Sequence, residues 1–280
     1  MTDVTLSPDL PPEAVNYAIY APVDEALDFS VFPHLRAVMC LWAGVEGIVK
    51  NQTITVPLTR MVDVGLTQGM VEWVTGHVLR YHLGIDHNLA MQDGVWEKAI
   101  PPLAQDRKVS VLGCGALGTA CLKALTSLGF DAVGWSRSPK VIDGVRTVNG
   151  WPALEEVLRR AEIVVLLVPL TPETENVLNS ERLSWLPDGA VVLNPGRGAL
   201  IEDAALLAEL PRLGHATLDT FRIEPLPPEH PFWAHPKVTV TPHIASETRP
   251  ETASQVVVEN IRRDLAGEPL LHVVDRDRGY

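Results

Sequence analysis

Three short segments in the second half of the chain carry residues that could do chemistry together. They are Leu193-Asn194-Pro195-Gly196-Arg197-Gly198, Leu218-Asp219-Thr220-Phe221-Arg222-Ile223-Glu224-Pro225-Leu226-Pro227 and Thr241-Pro242-His243-Ile244-Ala245. Each follows a short apolar run, so an arginine, a carboxylate and a histidine come from the ends of three candidate strands. That set suits reversible hydride transfer to a 2-oxo acid. An imidazolium donates the proton to the developing alkoxide, a carboxylate orients the ring, and a guanidinium holds the substrate carboxylate and polarises its carbonyl. Taken singly, the histidine reads as a cap, the glutamate as a surface group and the arginine as a helix-entry residue. Their order, downstream of a cofactor signature, favours a site.

That signature is Lys108-Val109-Ser110-Val111-Leu112-Gly113-Cys114-Gly115-Ala116-Leu117-Gly118, a β-branched run entering G-x-G-x-x-G and then an apolar-periodic helix. Gly113 makes the tight turn and Gly115 lets backbone approach a pyrophosphate. Gly118 lets the helix pack on the strand, and the helix start at Ala116 and Leu117 faces the anion. About twenty residues on, an NAD site would carry an Asp or Glu for the ribose hydroxyls. Ser136-Arg137-Ser138 stands there instead. A guanidinium pairs with a 2′-phosphate that a carboxylate would repel, so the expected cofactor is NADP(H) in preference to NAD(H).

The elements that must position these groups are legible in the same stretch. Lys108–Leu112, Asp131–Trp135, Ile163–Val168, Ala190–Asn194, His215–Leu218 and Val238–Val240 are short and mostly apolar, as parallel strands buried on both faces should be. Helical patterns at Ala116–Leu128, Ala153–Arg160, Ser180–Trp185 and Glu202–Leu210 alternate with them. This predicts an α/β fold, a Rossmann-type doubly wound parallel sheet. The first part of the chain offers shorter strands at Tyr17–Tyr20, Ala37–Cys40 and Ile54–Pro57. Long helical segments at about Gly69–Leu89 and Glu247–Ala266 flank the sheet region. A smaller substrate domain over residues 1–78, completed by 262–280, and a dinucleotide-binding domain over 79–261 follow. The cleft between such lobes is the expected ligand site.

At 280 residues the chain is long enough for two cores. Its net charge of −12 disfavours nucleic acid and anionic membrane as partners. No run approaches the roughly 18 apolar residues of a membrane span. Cys40, Cys114 and Cys121 form neither a paired framework nor a metal spacing, which fits a reduced, cytoplasmic protein. His77, His82 and His87 recur every fifth residue and so spread around a helix, and no metal is expected.

In the order and spacing of its Asn-Pro-Gly-Arg-Gly, Glu-Pro-Leu-Pro and Thr-Pro-His-Ile-Ala segments, the chain resembles the D-2-hydroxyacid dehydrogenase family. Within it the chain is most similar to the A-type glyoxylate/hydroxypyruvate reductase branch, from about Tyr17 to the closing Arg-Gly-Tyr. The resemblance implies NADPH-dependent reduction of glyoxylate or hydroxypyruvate. It makes Arg197 the substrate arginine, Glu224 the orienting carboxylate and His243 the acid/base, and it turns Asp219 toward the nicotinamide. Trp42-Ala43-Gly44-Val45 matches the loop whose backbone binds the substrate carboxylate. Val168, Pro169 and Thr174 match the loop beside the cofactor ribose, and Pro195 belongs to the cofactor wall. The family also implies a homodimer formed through the cofactor domains and a flavodoxin-like small domain. In two places the sequence departs from the branch. It starts too late for the strand–helix unit that precedes the Tyr17 segment, so the expectation is either a shortened small domain (thin, rearranged or completed by a partner chain) or a natural start upstream of Met1. Ala21 replaces an aromatic residue, while Trp42 enters the carboxylate loop. A dehydrogenase for a bulkier 2-oxo acid, or an NADP(H) sensor without turnover, are the competing readings.

Overall fold

The computed structural model describes residues 4–22 and 27–280. It divides into one unit of Met1–Leu66 with Thr248–Tyr280 and a second of Thr67–Glu247.

The first unit is built on β1 (Tyr17–Tyr20), β2 (Ala37–Cys40) and β3 (Leu58–Thr59), all parallel, in that order. β3 begins four residues later than the Ile54–Pro57 run suggested. Pro57 has no N–H to give a ladder, so only its carbonyl joins, accepting from Val38. Ile54 is instead a buried plug beside Val38, Val49 and Leu58. Toward the end of the chain, the helix Pro250–Leu265 presents Ala253, Val257 and Ile261 to Ala37, Met39 and Met61. This apolar stripe places the helix wholly in the first unit, rather than splitting it at residue 262. The chain's last residues close the other side: the Arg276 guanidinium donates to the carbonyls of Val49, Ile54 and Asn51.

α1 (Val64–His82), which from Thr67 on belongs to the second unit, starts where Asp63 Oδ1 accepts from the N–H groups of Gly65 and Leu66. It stops at Gly84, whose φ of +65° breaks the expected long helix into α1 and a short α2 (Ile85–Ala90).

The second unit carries β4 (Lys108–Leu112), α3 (Ala116–Ser127), β5 (Asp131–Ser136), β6 (Arg146–Asn149), α4 (Leu154–Arg160) and β7 (Ile163–Leu166). It continues through α5 (Ser180–Ser184), β8 (Val191–Asn194), α6 (Asp203–Glu209), β9 (His215–Leu218) and β10 (Val238–Val240). The Pro250–Leu265 helix is then α7. Seven parallel strands run in the order β10-β9-β8-β7-β4-β5-β6. The apolar runs are explained by burial on both faces. Val164, Leu166 and Val192 point to a core with α4, α5 and α6. Their neighbours Ile163, Val165 and Leu193 point to a second core with α1 and α3. β6 is a half-exposed edge strand of mixed polarity, so its sequence carries no apolar run. The direction of winding reverses between β4 and β7, and the crevice outside the carboxyl ends of such strands is where ligands bind.

Candidate active site

The glycine turn is held by close approach. A Cβ on Gly113, whose φ is +117°, would meet the Leu167 carbonyl at 2.4 Å, and one on Gly118 would meet the Gly113 oxygen at 1.8 Å. Gly115 is different, because a Cβ there would enter open space. It is the N-cap of α3 and has no side chain to bond the first helical N–H groups. The first N–H groups of the helix, those of Ala116, Leu117 and Gly118, are therefore not capped by a side chain at Gly115, the state in which a helix start suits an anion.

Beyond β5, Ser136 Oγ donates to the Ser138 carbonyl at 2.8 Å, shaping the turn that carries Arg137. The Arg137 guanidinium pairs with Glu173 from the Val168–Thr174 loop. Val168 is packed in the core, while Pro169 is exposed. Thr174 is 2% exposed and staples this loop: its hydroxyl donates to the Pro169 carbonyl at 2.6 Å and accepts from Thr171 N–H at 2.8 Å.

The three chemical segments converge at the other strands' carboxyl ends. Asn194, fully buried at the end of β8, donates to the Arg197 carbonyl at 2.9 Å and accepts from Gly196 N–H at 3.2 Å. Pro195 is buried between them. The Arg197 guanidinium donates to the Gly196 carbonyl at 2.7 Å. Gly198 lies so close to the next segment that a Cβ would sit 1.9 Å from the Phe221 carbonyl carbon. Any side chain there would push the arginine loop away from the glutamate loop.

His243 Nδ1 lies 2.7 Å from Glu224 Oε2, and the other carboxylate oxygen accepts from Phe221 N–H at 2.8 Å. The carboxylate is thus fixed from behind and the ring from the carboxylate. His243 Nε2 bonds to no described residue, and the side chain is 47% exposed. The backbone at His243 has φ +55°, a conformation that costs a non-glycine residue about 1 kcal/mol. Asp219 holds it there. Its carboxylate, 0% exposed, accepts from Thr241 Oγ1 at 2.6 Å, Ile244 N–H at 3.0 Å and Ala245 N–H at 2.9 Å, while its carbonyl accepts from His243 N–H at 2.8 Å. Three donors thus satisfy the hydrogen-bonding needs of this buried carboxylate.

In the first unit, Trp42–Val45 follows β2 as an irregular loop, with the Trp42 carbonyl accepting from Met61 N–H at 2.9 Å. Trp42 is exposed and Val45 buried.

The comparisons with known proteins agree with this chemistry. Residues 78–245 match the model of the D-isomer specific 2-hydroxyacid dehydrogenase NAD binding domain. A glyoxylate/hydroxypyruvate reductase A of Serratia proteamaculans is 40% identical over 256 residues, 88% of this chain and 82% of the relative. The chain belongs to the D-isomer specific 2-hydroxyacid dehydrogenase family. A further family relative, the glyoxylate/hydroxypyruvate reductase A of Yersinia enterocolitica, is 37% identical over 96% of this chain and 88% of its own length. Among solved structures, the family member from Xanthobacter autotrophicus Py2 in complex with NADPH and MES has a TM-score of 0.91 at 43% identity, covering 97% of this chain and 87% of that one. The NADPH-dependent glyoxylate/hydroxypyruvate reductase of Sinorhizobium meliloti, with NADP and sulfate, has a TM-score of 0.90 at 35% identity, covering 98% and 89%.

Within this dehydrogenase fold, Arg197, Glu224 and His243 share one edge of the sheet. Thr174 and Asp219, expected to touch the cofactor, have side-chain oxygens that are hydrogen-bonded within the protein. Three partners were missed from sequence: Glu173 against Arg137, Phe221 N–H behind Glu224, and Asn194 under Arg197. The first two are tertiary pairings without a pattern. The third had a weak signal, a buried amide ending an apolar run. Among the described residues no cluster of His, Cys, Asp or Glu could hold a metal, and no helix is long and apolar enough to cross a membrane.

Proposed function

We propose that this protein reduces glyoxylate or hydroxypyruvate to the 2-hydroxy acid with NADPH. The observation that carries the reading is the His243–Glu224 pair, with Nε2 open at the edge where Arg197 also stands. The cofactor's diphosphate is assigned to the α3 N-terminus and its 2′-phosphate to Arg137, which would exchange Glu173 for the phosphate. Val168, Pro169 and Pro195 would line the same cofactor site, with Ser136 and Ser138 forming the turn. When bound, the dihydronicotinamide supplies a hydride. His243 Nε2 gives a proton to the carbonyl oxygen, and Glu224 stabilises the imidazolium through Nδ1. Arg197 anchors the carboxylate and draws electron density toward the carbonyl oxygen. The backbone of Trp42-Ala43-Gly44-Val45 is assigned to the substrate carboxylate as well. Steady-state oxidation of NADPH and NADH with glyoxylate, hydroxypyruvate and pyruvate tests the reading. Turnover that prefers NADPH and the first two acids is expected. Binding of NADPH without turnover of any 2-oxo acid would leave a sensor.

The same proposal includes a cytoplasmic homodimer. Residues 83–103 expose Leu83, Ile85, Leu89, Val95, Trp96, Ile100 and Leu103, with Trp96 at 90% and Ile100 at 87%. Such a row favours burial against a second copy. Sedimentation of the wild type as a dimer and of Trp96→Asp as a monomer is the expected result. The three buried, unpaired cysteines suit a reducing compartment.

A further inference from the structure

Arg60 is a half-buried cation without a counter-ion among the described residues. It follows β3 directly, at the carboxyl edge of the three-stranded sheet. Its backbone is pinned on both sides: Arg60 N–H donates to the His272 carbonyl at 3.0 Å, and Met61 N–H to the Trp42 carbonyl at 2.9 Å. Arg60 therefore stands beside the first residue of the Trp42–Val45 loop. Among the described residues, no carboxylate lies within ion-pair distance of its guanidinium and no side-chain hydrogen bond is made by it. The other arginines of this unit, the exposed Arg249 apart, are provided for. Arg36 pairs with Asp264, Arg262 and Arg263 with Glu259 and Glu268, Arg278 with Asp275, and Arg276 holds three carbonyls. The titratable neighbour is His272, a neutral or cationic group that is no counter-ion; burial, and after it Arg60, pushes that imidazole's pKa down. Burial likewise lowers the pKa of Arg60 itself.

A guanidinium drawn out of water without an anion is costly, and a structural role would have supplied a carboxylate. The carboxyl edge of parallel strands is where ligands gather, and a planar fork of donors fits a carboxylate at two points. We propose that Arg60 is a substrate-binding residue for the carboxylate of the 2-oxo acid, working beside the backbone of Trp42–Val45. The proposal rests on the assignment of that loop to the substrate. It implies a division of labour. Arg60 contributes binding that is equal in the ground and transition states, whereas Arg197 contributes more as charge develops on the carbonyl oxygen.

The test is Arg60→Gln in the full-length protein, assayed with glyoxylate and hydroxypyruvate at saturating NADPH. The expected result is a KM raised about 10- to 100-fold for both acids, the range of a lost charged hydrogen-bond pair, with kcat within about twofold and the KM for NADPH unchanged. Arg60→Lys should recover part of the loss. It also serves as the test if the glutamine variant fails to fold, with KM raised several-fold at wild-type thermal stability. Oxalate, an unreactive dicarboxylate probe, should raise the melting temperature of the NADPH-loaded wild type and lose that effect in the variant. This arm decides the matter even if the wild type turns over no 2-oxo acid, in which case the reductase assignment fails separately. Unchanged KM and an unchanged oxalate shift overturn the proposal. So does a loss confined to hydroxypyruvate, which would place Arg60 at the distal hydroxyl, or a loss confined to kcat.

Discussion

The two edges of the seven-stranded sheet carry similar residue types and do opposite things with them. At the amino edge, a cavity of about 240 Å³ is lined by Arg80, Asp86, Arg107, Glu162 and His215. There the cations are neutralised: Arg80 Nε donates to both oxygens of Asp86, at 2.8 and 2.9 Å, and Arg107 pairs with Glu162 at 2.9 Å. His215 stacks on Tyr81, bonds Thr239 through Nε2, and burial with the nearby Arg80 pulls its pKa down to about 4. It is held neutral. At the carboxyl edge, His243 keeps a carboxylate on one ring nitrogen and leaves the other open. The difference shows that a cavity with histidine and arginine in it is not thereby a site. What marks the site is a polarised group whose second valence is unspent.

Substitutions can break that comparison, starting with the largest effect. His243→Ala should lower kcat for reduction by about 10²- to 10⁴-fold, the usual share of general acid–base catalysis. His215→Asn should leave kcat near the wild-type value. Equal losses in the two variants would erase the distinction between the edges. Arg197→Lys keeps a charge but not the planar two-point contact. About a 10²-fold fall in kcat/KM is expected, the scale of a mispositioned substrate, while Arg80→Lys should be active and less stable.

Arg137→Ala should weaken NADPH binding by about 1–3 kcal/mol, as a lost charge-assisted pair does, and leave NADH binding nearly unchanged. Isothermal titration with each cofactor checks this, and equal losses would remove Arg137 from the 2′-phosphate. The smallest effect concerns stability. Because the folded pKa of His215 lies below its unfolded value, the unfolded chain binds more protons between about pH 4 and 6.5. Stability therefore rises with pH across that window. His215→Asn should flatten the rise by on the order of 1–2 kcal/mol, measured by urea denaturation at a series of pH values.

Much of this was legible in the residues because strands buried on both faces must be apolar, and because glycine is required where backbones nearly touch. Val109–Leu112, Ile163–Leu166 and Gly113–Gly118 were readable for those reasons. β6 was not, since an edge strand needs no apolar run. The start of β3 was displaced because Pro57 cannot donate to a ladder, and the break at Gly84 looked like a continuous amphipathic segment. In the site, the residues with reactive groups were legible and those that hold them were less so. Asp219 was recognised as a carboxylate in the right place, but its three donors come from a loop more than twenty residues away. Arg60 carried no signal at all, because an unpaired charge becomes visible only once its surroundings are known.

The central claim is that His243 and Glu224 act as one proton-donating unit, and a double-mutant cycle on reduction tests it most directly. Glu224→Gln keeps the hydrogen-bonding shape but removes the negative charge that faces His243 Nδ1. Measured as kcat with saturating NADPH and glyoxylate, Glu224→Gln alone should lose much of the activity. Added to His243→Ala, it should cost little more, because a carboxylate that acts through the imidazole has nothing left to act on. Losses that add in full would contradict the account, and would leave Glu224 as a residue that serves only the fold.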